Sequence, residues 1–187
     1  MKVTATELLG ISIIEPTVFR DARGYFFETF QAKRYAEQGM PSNFVQDNFS
    51  CSSKGVLRGL HYQLPHTQGK LVWVTRGKVF DVFVDIRQGS PTFGKWESII
   101  LDAEEPRQIY IPPGFAHGFC VLSNEADFYY KCTEYYTPSA EKGIRWDDPE
   151  INIQWPVTNP ILSPKDMVYP NLRDVPKEDL FNYEQYK

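Results

Sequence analysis

Long hydrophobic runs, paired cysteines and blocks of like charge are all missing from this sequence of 187 residues. No window approaches the roughly 20 consecutive apolar residues that a membrane-spanning helix needs, so we expect no membrane association. Residues 1–16 lack the basic start and the long apolar centre of a secretion signal. From these absences we expect a cytoplasmic enzyme or binding protein.

The three cysteines, Cys51, Cys120 and Cys132, are too few and too irregularly spaced for a disulfide framework. We expect them to be small buried hydrophobic side chains in a reducing compartment. The net charge of −4 argues against nucleic acid as a partner, because nucleic-acid binding relies on basic surfaces. A small anionic ligand stays compatible with this charge, since a local basic pocket can form on an acidic protein.

The composition is that of an ordinary globular chain, with 42% hydrophobic and 24% charged residues. The length fits one domain, and no linker or internal repeat divides the chain, so we expect a single domain over residues 1–187. Helical patterns are confined to residues 31–38 (QAKRYAEQ) and 176–186 (PKEDLFNYEQY), where proline and early acids suit a helix start. The second pattern predicts a C-terminal helical extension over about residues 167–187.

Most of the remaining chain has the pattern of short strands. Residues 77–87 (GKVFDVFVDIR) alternate, which places Asp81 and Asp85 on the face opposite an apolar one. The aspartate face either lines a wet cavity or faces solvent, and the periodicity alone allows both. Residues 70–84 also predict a β-hairpin with its turn at residues 76–77. Many short strands and few helices favour an antiparallel sandwich or barrel.

Residues 55–72 (GVLRGLHYQLPHTQGKLV) combine an apolar run with His61, His66, Arg58 and Lys70. Burying so many cationic or titratable groups is costly without a purpose, so the segment predicts a functional pocket. A histidine takes and returns a proton near neutral pH, and a lysine stabilises an oxyanion in a dry pocket. The combination favours proton abstraction next to a carbonyl, where negative charge grows on the carbonyl oxygen. We expect His66 to be an exposed loop residue.

Residues 111–119 (IPPGFAHGF) place a proline, a glycine and His117 in the spacing of the second metal motif of the cupin β-barrels, which this segment resembles. A metal-binding cupin supplies a His-x-His pair and a glutamate from an earlier strand. Here the matching stretch has His61 followed by Gln63, and one histidine with an amide is a poor ligand set. We therefore expect no metal and no cofactor, with a metal-dependent cupin oxygenase as an alternative.

Several ordered motifs between residues 13 and 166 resemble those of the dTDP-4-dehydrorhamnose 3,5-epimerase family. They are FRDARGYFFETF, FVQDNFSCSSKGVLRGLHYQ, QGKLVWVTRGKVFDVFVDIRQGSPTFGKW, IPPGFAHGFCVLS, YKCTEYYTP, EKGIRWDDP and LSPKD. The resemblance implies a mainly β, cupin-type double-stranded β-helix (jelly-roll barrel) with a few short peripheral helices. It also implies a cofactor-free isomerase of dTDP-L-rhamnose biosynthesis. Such an enzyme inverts carbons 3 and 5 of dTDP-4-dehydro-6-deoxy-D-glucose and gives dTDP-4-dehydro-L-rhamnose.

The resemblance further implies catalytic roles for four residues. His61 matches the general base, and Asp166 matches the carboxylate that holds this histidine and raises its basicity. Tyr130 matches the general acid, which acts on the opposite face of the sugar. Lys70 matches the lysine that neutralises the enolate oxygen.

The resemblance also implies a set of substrate contacts. They are Arg23, Glu28, Gln46, Asn48, Arg58, Lys70, His117, Tyr136, Glu141 and Lys165. Among them, Arg23, Arg58 and Lys165 suit a diphosphate, because cationic side chains pair with phosphate oxygens. Tyr136 corresponds to the aromatic residue that stacks on the thymine ring. The loop of residues 63–68 is one residue shorter than the usual form, so the rim of the pocket departs from the family pattern.

Two other functions share much of this pattern. A relative that epimerises only carbon 3 or carbon 5 would have the same motifs, and a nucleotide-sugar-binding cupin without turnover would bind without exchanging protons. We also expect a homodimer that brings Arg23 or Glu28 near the active site of the partner. The family resemblance and the aromatic segment of residues 24–30 (GYFFETF), which needs burial, both favour this assembly.

Overall fold

The computed structural model describes residues 1–186, and most of its strands form two facing antiparallel sheets. In chain order the strands are β1 (Lys2–Ala5), β2 (Ser12–Glu15), β3 (Phe19–Asp21), β4 (Gly24–Phe26), β5 (Gln46–Ser53), β6 (Leu57–Gln63), β7 (Lys70–Arg76), β8 (Lys78–Asp85), β9 (Arg87–Gln88), β10 (Trp96–Asp102), β11 (Gln108–Ile111), β12 (Phe115–Val121), β13 (Glu125–Cys132), β14 (Glu141–Gly143) and β15 (Phe181–Asn182). One sheet has the order β1-β2-β11-β7-β13-β5, and the other has the order β10-β8-β12-β6-β14. The predicted mainly β jelly-roll architecture is confirmed.

The main core lies between the two sheets. Val72 and Val74 from β7 pack there with Phe83 from β8 and with the stacked rings of Phe119 and Phe128. A second apolar cluster covers the outer face of the five-stranded sheet and includes side chains of the C-terminal segment. Strands β8 and β12 are therefore buried on both faces, which explains their nearly continuous apolar sequence.

The predicted hairpin at residues 76–77 is wrong. Strand β7 pairs with β11 and β13 in the six-stranded sheet, whereas β8 pairs with β10 and β12 in the other sheet. Gly77, with φ of 76°, turns the chain from one sheet to the other. The apolar faces of the two strands meet across the core, so burial outweighs the local hairpin preference.

The predicted C-terminal helix is also wrong, because three single-turn 3-10 helices replace it. They are Leu172–Asp174, Lys177–Asp179 and Tyr183–Gln185, with β15 before the last one. Strand β15 pairs in parallel with β9 and buries Phe181. Gln88 Nε2 donates to the Lys177 carbonyl at 2.6 Å, and Arg87 Nη1 donates to the Tyr186 carbonyl at 3.0 Å. The pairing of β15 with β9 and the burial of Phe181 hold this segment extended, which interrupts a continuous helix.

The helix predicted over residues 31–38 is present as α1 (Ala32–Ala36), with Gln31 as its N-cap. A further 3-10 helix spans Pro138–Ala140. Within the described residues, no helix is long and apolar enough to cross a membrane.

The three cysteines are free thiols in two different environments. Cys120 and Cys132 are buried, as predicted. The same prediction is wrong for Cys51, which is exposed because it lies on the outward face of the edge strand β5. Its sulfur accepts a hydrogen bond from the surface residue Arg76 at 3.4 Å.

Candidate active site

A cavity of about 640 Å³ opens between strands of both sheets. Eleven of the predicted site residues line it: Gln46, Asn48, Arg58, His61, Lys70, His117, Tyr130, Tyr136, Glu141, Lys165 and Asp166. They come from β5, β6, β7, β12, β13, β14 and two loops. The fold therefore gathers into one cavity side chains that are up to 120 residues apart in the sequence.

A β-bulge in β6 brings two of these side chains to the same wall. Arg58 and His61 are three residues apart, so in a regular strand they would point to opposite faces. Opposite them, β12 pairs His117 with His61 and Phe119 with Arg58, which leaves one extra residue in β6. Gly59 permits this bulge, because its φ is 137° and a Cβ atom there would lie only 2.5 Å from the Cα atom of the facing strand.

His61, whose side chain is 22% exposed, pairs with the buried Asp166 at the cavity wall. His61 Nε2 lies 2.5 Å from Asp166 Oδ1, and the hydroxyl of Ser163 donates to Asp166 Oδ2 at 2.8 Å. Burial raises the pKa of Asp166, but these hydrogen bonds outweigh burial and hold the pKa of the carboxyl below its usual value. Asp166 is therefore ionised at neutral pH and accepts the Nε2 proton, which leaves Nδ1 as the basic nitrogen of the ring.

The pKa of His61 itself is lowered, because burial disfavours the charged ring more than Asp166 favours it. The imidazole is consequently neutral near pH 7 and free to accept a proton. A neutral histidine with a buried carboxylate on its far nitrogen is an arrangement suited to general base catalysis.

Lys70 and Tyr130 extend from neighbouring strands of the other sheet. β13 pairs with β7 so that Tyr130 lies opposite Val72, two residues along from Lys70, and alternate residues share a face. Burial lowers the pKa of Lys70, and no hydrogen bond or ion pair within residues 1–186 engages its ammonium group. Burial raises the pKa of Tyr130 to about 12, so its hydroxyl carries a proton at neutral pH.

His117 is held by the carboxylate of Asp81, which the alternation in β8 predicts to line a wet cavity or to face solvent. Asp81 is fully buried and its Oδ2 lies 2.9 Å from His117 Nε2. Asp85, on the same face of β8, is also fully buried and binds Arg87 at 2.8 Å. The aspartate face thus neither faces solvent nor forms the cavity wall. Instead it supplies two buried partners for basic side chains, and one of these, His117, lines the cavity.

The rim of the cavity is a connected set of polar side chains. Glu141 accepts hydrogen bonds from the Tyr136 hydroxyl at 2.7 Å and from Lys165 Nζ at 2.5 Å. The backbone N–H of Tyr136 donates to Gln46, whose amide in turn donates to Asn48. The Tyr136 ring is about half exposed, so one face is open to a flat ligand.

Arg23 and Glu28 lie outside the cavity of their own chain. Arg23 is exposed on the β3–β4 hairpin and binds Asp21 at 2.5 Å, while Glu28 binds Arg34 at 2.6 Å. The site within one chain is therefore made without these two predicted contacts. The hairpin also presents the exposed rings of Phe19 and Phe26.

Gln63 occupies the position at which a metal cupin has its second histidine, and its side chain is already engaged. Its amide nitrogen donates to the carbonyls of His66 and Tyr135, and its oxygen accepts the Thr137 N–H at 2.8 Å. His66 is exposed in this loop, as predicted. No cluster of three or more His, Cys, Asp or Glu side chains suited to a metal ion occurs in residues 1–186.

Two residues that contact the His61–Asp166 pair were not predicted from the sequence. Ser163 lies three residues before Asp166, and its hydroxyl also accepts the Asp166 N–H at 3.3 Å. This spacing is typical of a Ser/Thr turn and was the available signal. Tyr169 packs against the His61 ring, and no local pattern distinguishes it from the other tyrosines.

Comparisons with known proteins show similarity over most of the chain. A family model described as dTDP-4-dehydrorhamnose 3,5-epimerase matches residues 5–174. The dTDP-4-dehydrorhamnose 3,5-epimerase of Shigella flexneri is 58% identical over 169 residues, which cover 89% of this chain and 93% of that protein.

Solved structures show the same similarity. The dTDP-6-deoxy-D-glucose-3,5-epimerase RmlC of Legionella pneumophila, in complex with dTDP-4-keto-L-rhamnose, matches with a TM-score of 0.94 and 55% identity, covering 97% of this chain and 98% of that one. ChmJ of Streptomyces bikiniensis, a 3′-monoepimerase in complex with dTDP-quinovose, matches with a TM-score of 0.91 and 34% identity, covering 96% and 92%.

Proposed function

Because the chain belongs to the dTDP-4-dehydrorhamnose 3,5-epimerase family, we propose that it inverts carbons 3 and 5 of dTDP-4-dehydro-6-deoxy-D-glucose. The product is dTDP-4-dehydro-L-rhamnose. The observation that carries this proposal is one cavity lined by the His61–Asp166 pair, Tyr130 and Lys70. These groups are a base, an acid and a cation, which is the full set that inversion next to a ketone requires.

The 4-keto group acidifies the C–H bonds of both neighbouring carbons, so the same groups serve each carbon in turn. His61 Nδ1 takes the proton, and the ionised Asp166 stabilises the imidazolium that forms. The electron pair moves onto O4, where the ammonium of Lys70 stabilises the enolate. Tyr130 then delivers a proton to the opposite face of the carbon, which completes the inversion. Exchange with water returns the base and the acid to their starting states.

The remaining cavity residues suit a nucleotide sugar. Arg58 and Lys165 supply positive charge for the diphosphate, and Tyr136 supplies a half-exposed ring for the thymine. The amides of Gln46 and Asn48 give hydrogen bonds. The proposed set of substrate-binding residues is completed by His117 and Glu141, and by Arg23 and Glu28 from a second copy of the chain.

The homodimer belongs to the same proposal. Phe19 and Phe26 on the β3–β4 hairpin are 62% and 68% exposed, and such a cluster of rings needs a partner surface. Arg23 and Glu28 lie on or beside this hairpin and outside their own cavity, so contact with the partner's cavity would give both a role. We also place the enzyme in the cytoplasm, since its three free thiols suit a reducing compartment. We propose neither nucleic acid nor a membrane as a binding partner.

NMR of dTDP-4-dehydro-6-deoxy-D-glucose in deuterated water with catalytic enzyme tests the function. We expect deuterium at both carbons 3 and 5, together with the inverted product. Exchange and inversion at one carbon would instead identify a single-carbon epimerase, an alternative that the lower identity to the 3′-monoepimerase does not favour. Tight binding without any exchange would identify a binding protein and would refute the proposal.

Turnover should survive removal of metal ions, because the groups that line the cavity suffice for proton transfer and Gln63 is engaged by the backbone. The measurement is the inversion rate before and after prolonged dialysis against a chelator, with separate additions of Zn²⁺, Mn²⁺ and Fe²⁺. A rate lost on dialysis and restored by one metal would show that the proton-transfer mechanism is wrong.

A further inference from the structure

Given the proposed function, we infer that Tyr169 is a positioning residue that holds the His61 imidazole in its working orientation and shields one side of it from water. The two rings meet edge to face, with centroids 5.8 Å apart and an interplanar angle of 67°. Tyr169 follows Asp166 by three residues, so the segment that supplies the carboxylate also supplies this ring.

Gly143 makes the contact sterically feasible. Strand β14 pairs with β6 so that Gly143 lies directly opposite His61. A Cβ atom on Gly143 would lie 2.6 to 2.7 Å from three ring carbons of Tyr169, so the ring lies flat against the glycine. Any larger residue at this position would push the ring away from His61. The absence of a side chain at residue 143 thus creates the space that Tyr169 fills.

The aromatic ring of Tyr169, and not its hydroxyl group, holds the His61 imidazole in place. Across residues 1–186 no hydrogen bond engages this hydroxyl. Burial and the nearby carboxylates of Glu141 and Asp166 raise its pKa, so it stays protonated and adds no charge beside the base.

Several charged or titratable groups lie around His61. These groups are Asp166, Lys70, Lys165, Glu141 and, across β12, His117. Asp166 holds the imidazole at one nitrogen only, and a ring held at one point can still rock about that bond. Tyr169 blocks this motion on the side of β14 and contributes to the burial that lowers the pKa of His61.

Tyr169→Ala and Tyr169→Phe test the inference with two readouts. One is an NMR titration of His61 in the ligand-free protein, and the other is the pH dependence of kcat/KM for inversion. In Tyr169→Ala we expect the pKa of His61 to rise toward its ordinary value of about 6.5, and kcat/KM to fall about 10-fold to 100-fold. Tyr169→Phe keeps the ring and should match the wild type in both.

The Gly143→Ala variant tests the same inference independently. Alone it should reproduce the effects of Tyr169→Ala, because it displaces the same ring. Added to Tyr169→Ala it should change little further, since neighbouring residues that act through one contact are not additive. Fully additive effects would overturn the inference.

A folded Tyr169→Ala variant with an unchanged pKa of His61 and an unchanged pH profile would also overturn it. If this variant does not fold, Tyr169→Val, which also leaves much of the space empty, is judged by the same criteria. The NMR titration needs no substrate, so its outcome is independent of the proposed function. Failure of that function would appear instead as a wild-type protein without turnover.

Discussion

Single side chains in the cavity have separable tasks in the proposed mechanism. His61 lies on β6 in one sheet, whereas Tyr130 lies on β13 in the other, so the base and the acid approach a bound sugar from different walls. Removing the acid and removing the base should therefore give different phenotypes.

Tyr130→Phe keeps the ring and removes the proton donor. His61 should still catalyse the exchange of substrate hydrogen for deuterium, while the rate of inversion falls by about 10²–10⁴-fold. His61→Asn should suppress exchange and inversion together, because no base then forms the enolate, and Asp166→Asn should resemble a milder His61 variant. The measurement is the ratio of exchange to inversion by NMR. A parallel fall of both rates in Tyr130→Phe, with unchanged binding, would contradict the two-face assignment.

The Asp85–Arg87 pair should control stability at low pH. Burial raises the pKa of Asp85, but hydrogen bonds from Arg87 and from two hydroxyl groups outweigh burial, so the net pKa is lowered. A lowered carboxyl pKa stabilises the fold above the unfolded value of about 3.9, and this stability is lost as the pH falls through the folded value. Asp85→Asn should cost about 3–5 kcal/mol at pH 7, because Arg87 then stays buried without its counter-charge.

Urea unfolding of wild type and Asp85→Asn at pH 7 and pH 3 measures this difference. The penalty should shrink at the lower pH, since pH 3 lies below the unfolded value and the ionised carboxyl then stabilises the fold less. Asp147→Asn, which changes an exposed carboxylate paired with Arg145, is the matched control and should alter stability much less. An equal penalty for Asp85→Asn at both pH values would show that the charge of Asp85 is not what matters.

Most residues that line the cavity could be predicted from the sequence, because they lie in recognisable motifs. Tyr169 and Asp81 were not recognised as site residues, since their importance comes from what they touch. Asp81 meets His117 across a strand pair, and Tyr169 meets His61 only because residue 143 lacks a side chain. Such contacts depend on register, which no local pattern encodes.

At the scale of elements, the strand content was predictable and the pairing was not. The alternation in residues 77–87 correctly gave a strand, but the turn before it joined two sheets instead of two hairpin partners. The same limit explains the C-terminal segment, where acids and a proline favoured a helix. There Phe181 gains more from burial beside β9 than from a helical turn.

The sheet-crossing turn depends on Gly77, and a second glycine provides a matched control. Gly77 and Gly55 have similar φ values of 76° and 81°, so alanine is strained by about 1–2 kcal/mol at either position. A Cβ atom at Gly77 would also collide with the backbone of Glu125, whereas nothing lies within 4 Å of one at Gly55. Gly77→Ala should therefore destabilise the protein by at least about 2 kcal/mol more than Gly55→Ala. Equal midpoints of chemical unfolding for the two variants would contradict this reading.

At the scale of the whole molecule, the assembly should decide whether the site is complete. Phe26→Asp places a charge on the exposed hairpin and should convert the expected dimer to monomer, with a loss of activity of at least about tenfold. Light scattering and the inversion assay measure the two effects. Phe93→Ser is the control, because Phe93 is also partly exposed but lies in the turn before β10. A monomeric Phe26→Asp variant with full activity would rule out a contribution from the partner.

The unpaired ammonium of Lys70 also makes this side chain a target for covalent chemistry. A lysine with a lowered pKa has a larger neutral fraction near pH 7, and only the neutral amine attacks acylating or carbonyl reagents. A thymidine-like compound that carries a mild electrophile to β7 would therefore react with Lys70. An irreversible inhibitor can thus be designed around a residue that the proposed mechanism uses only for its charge.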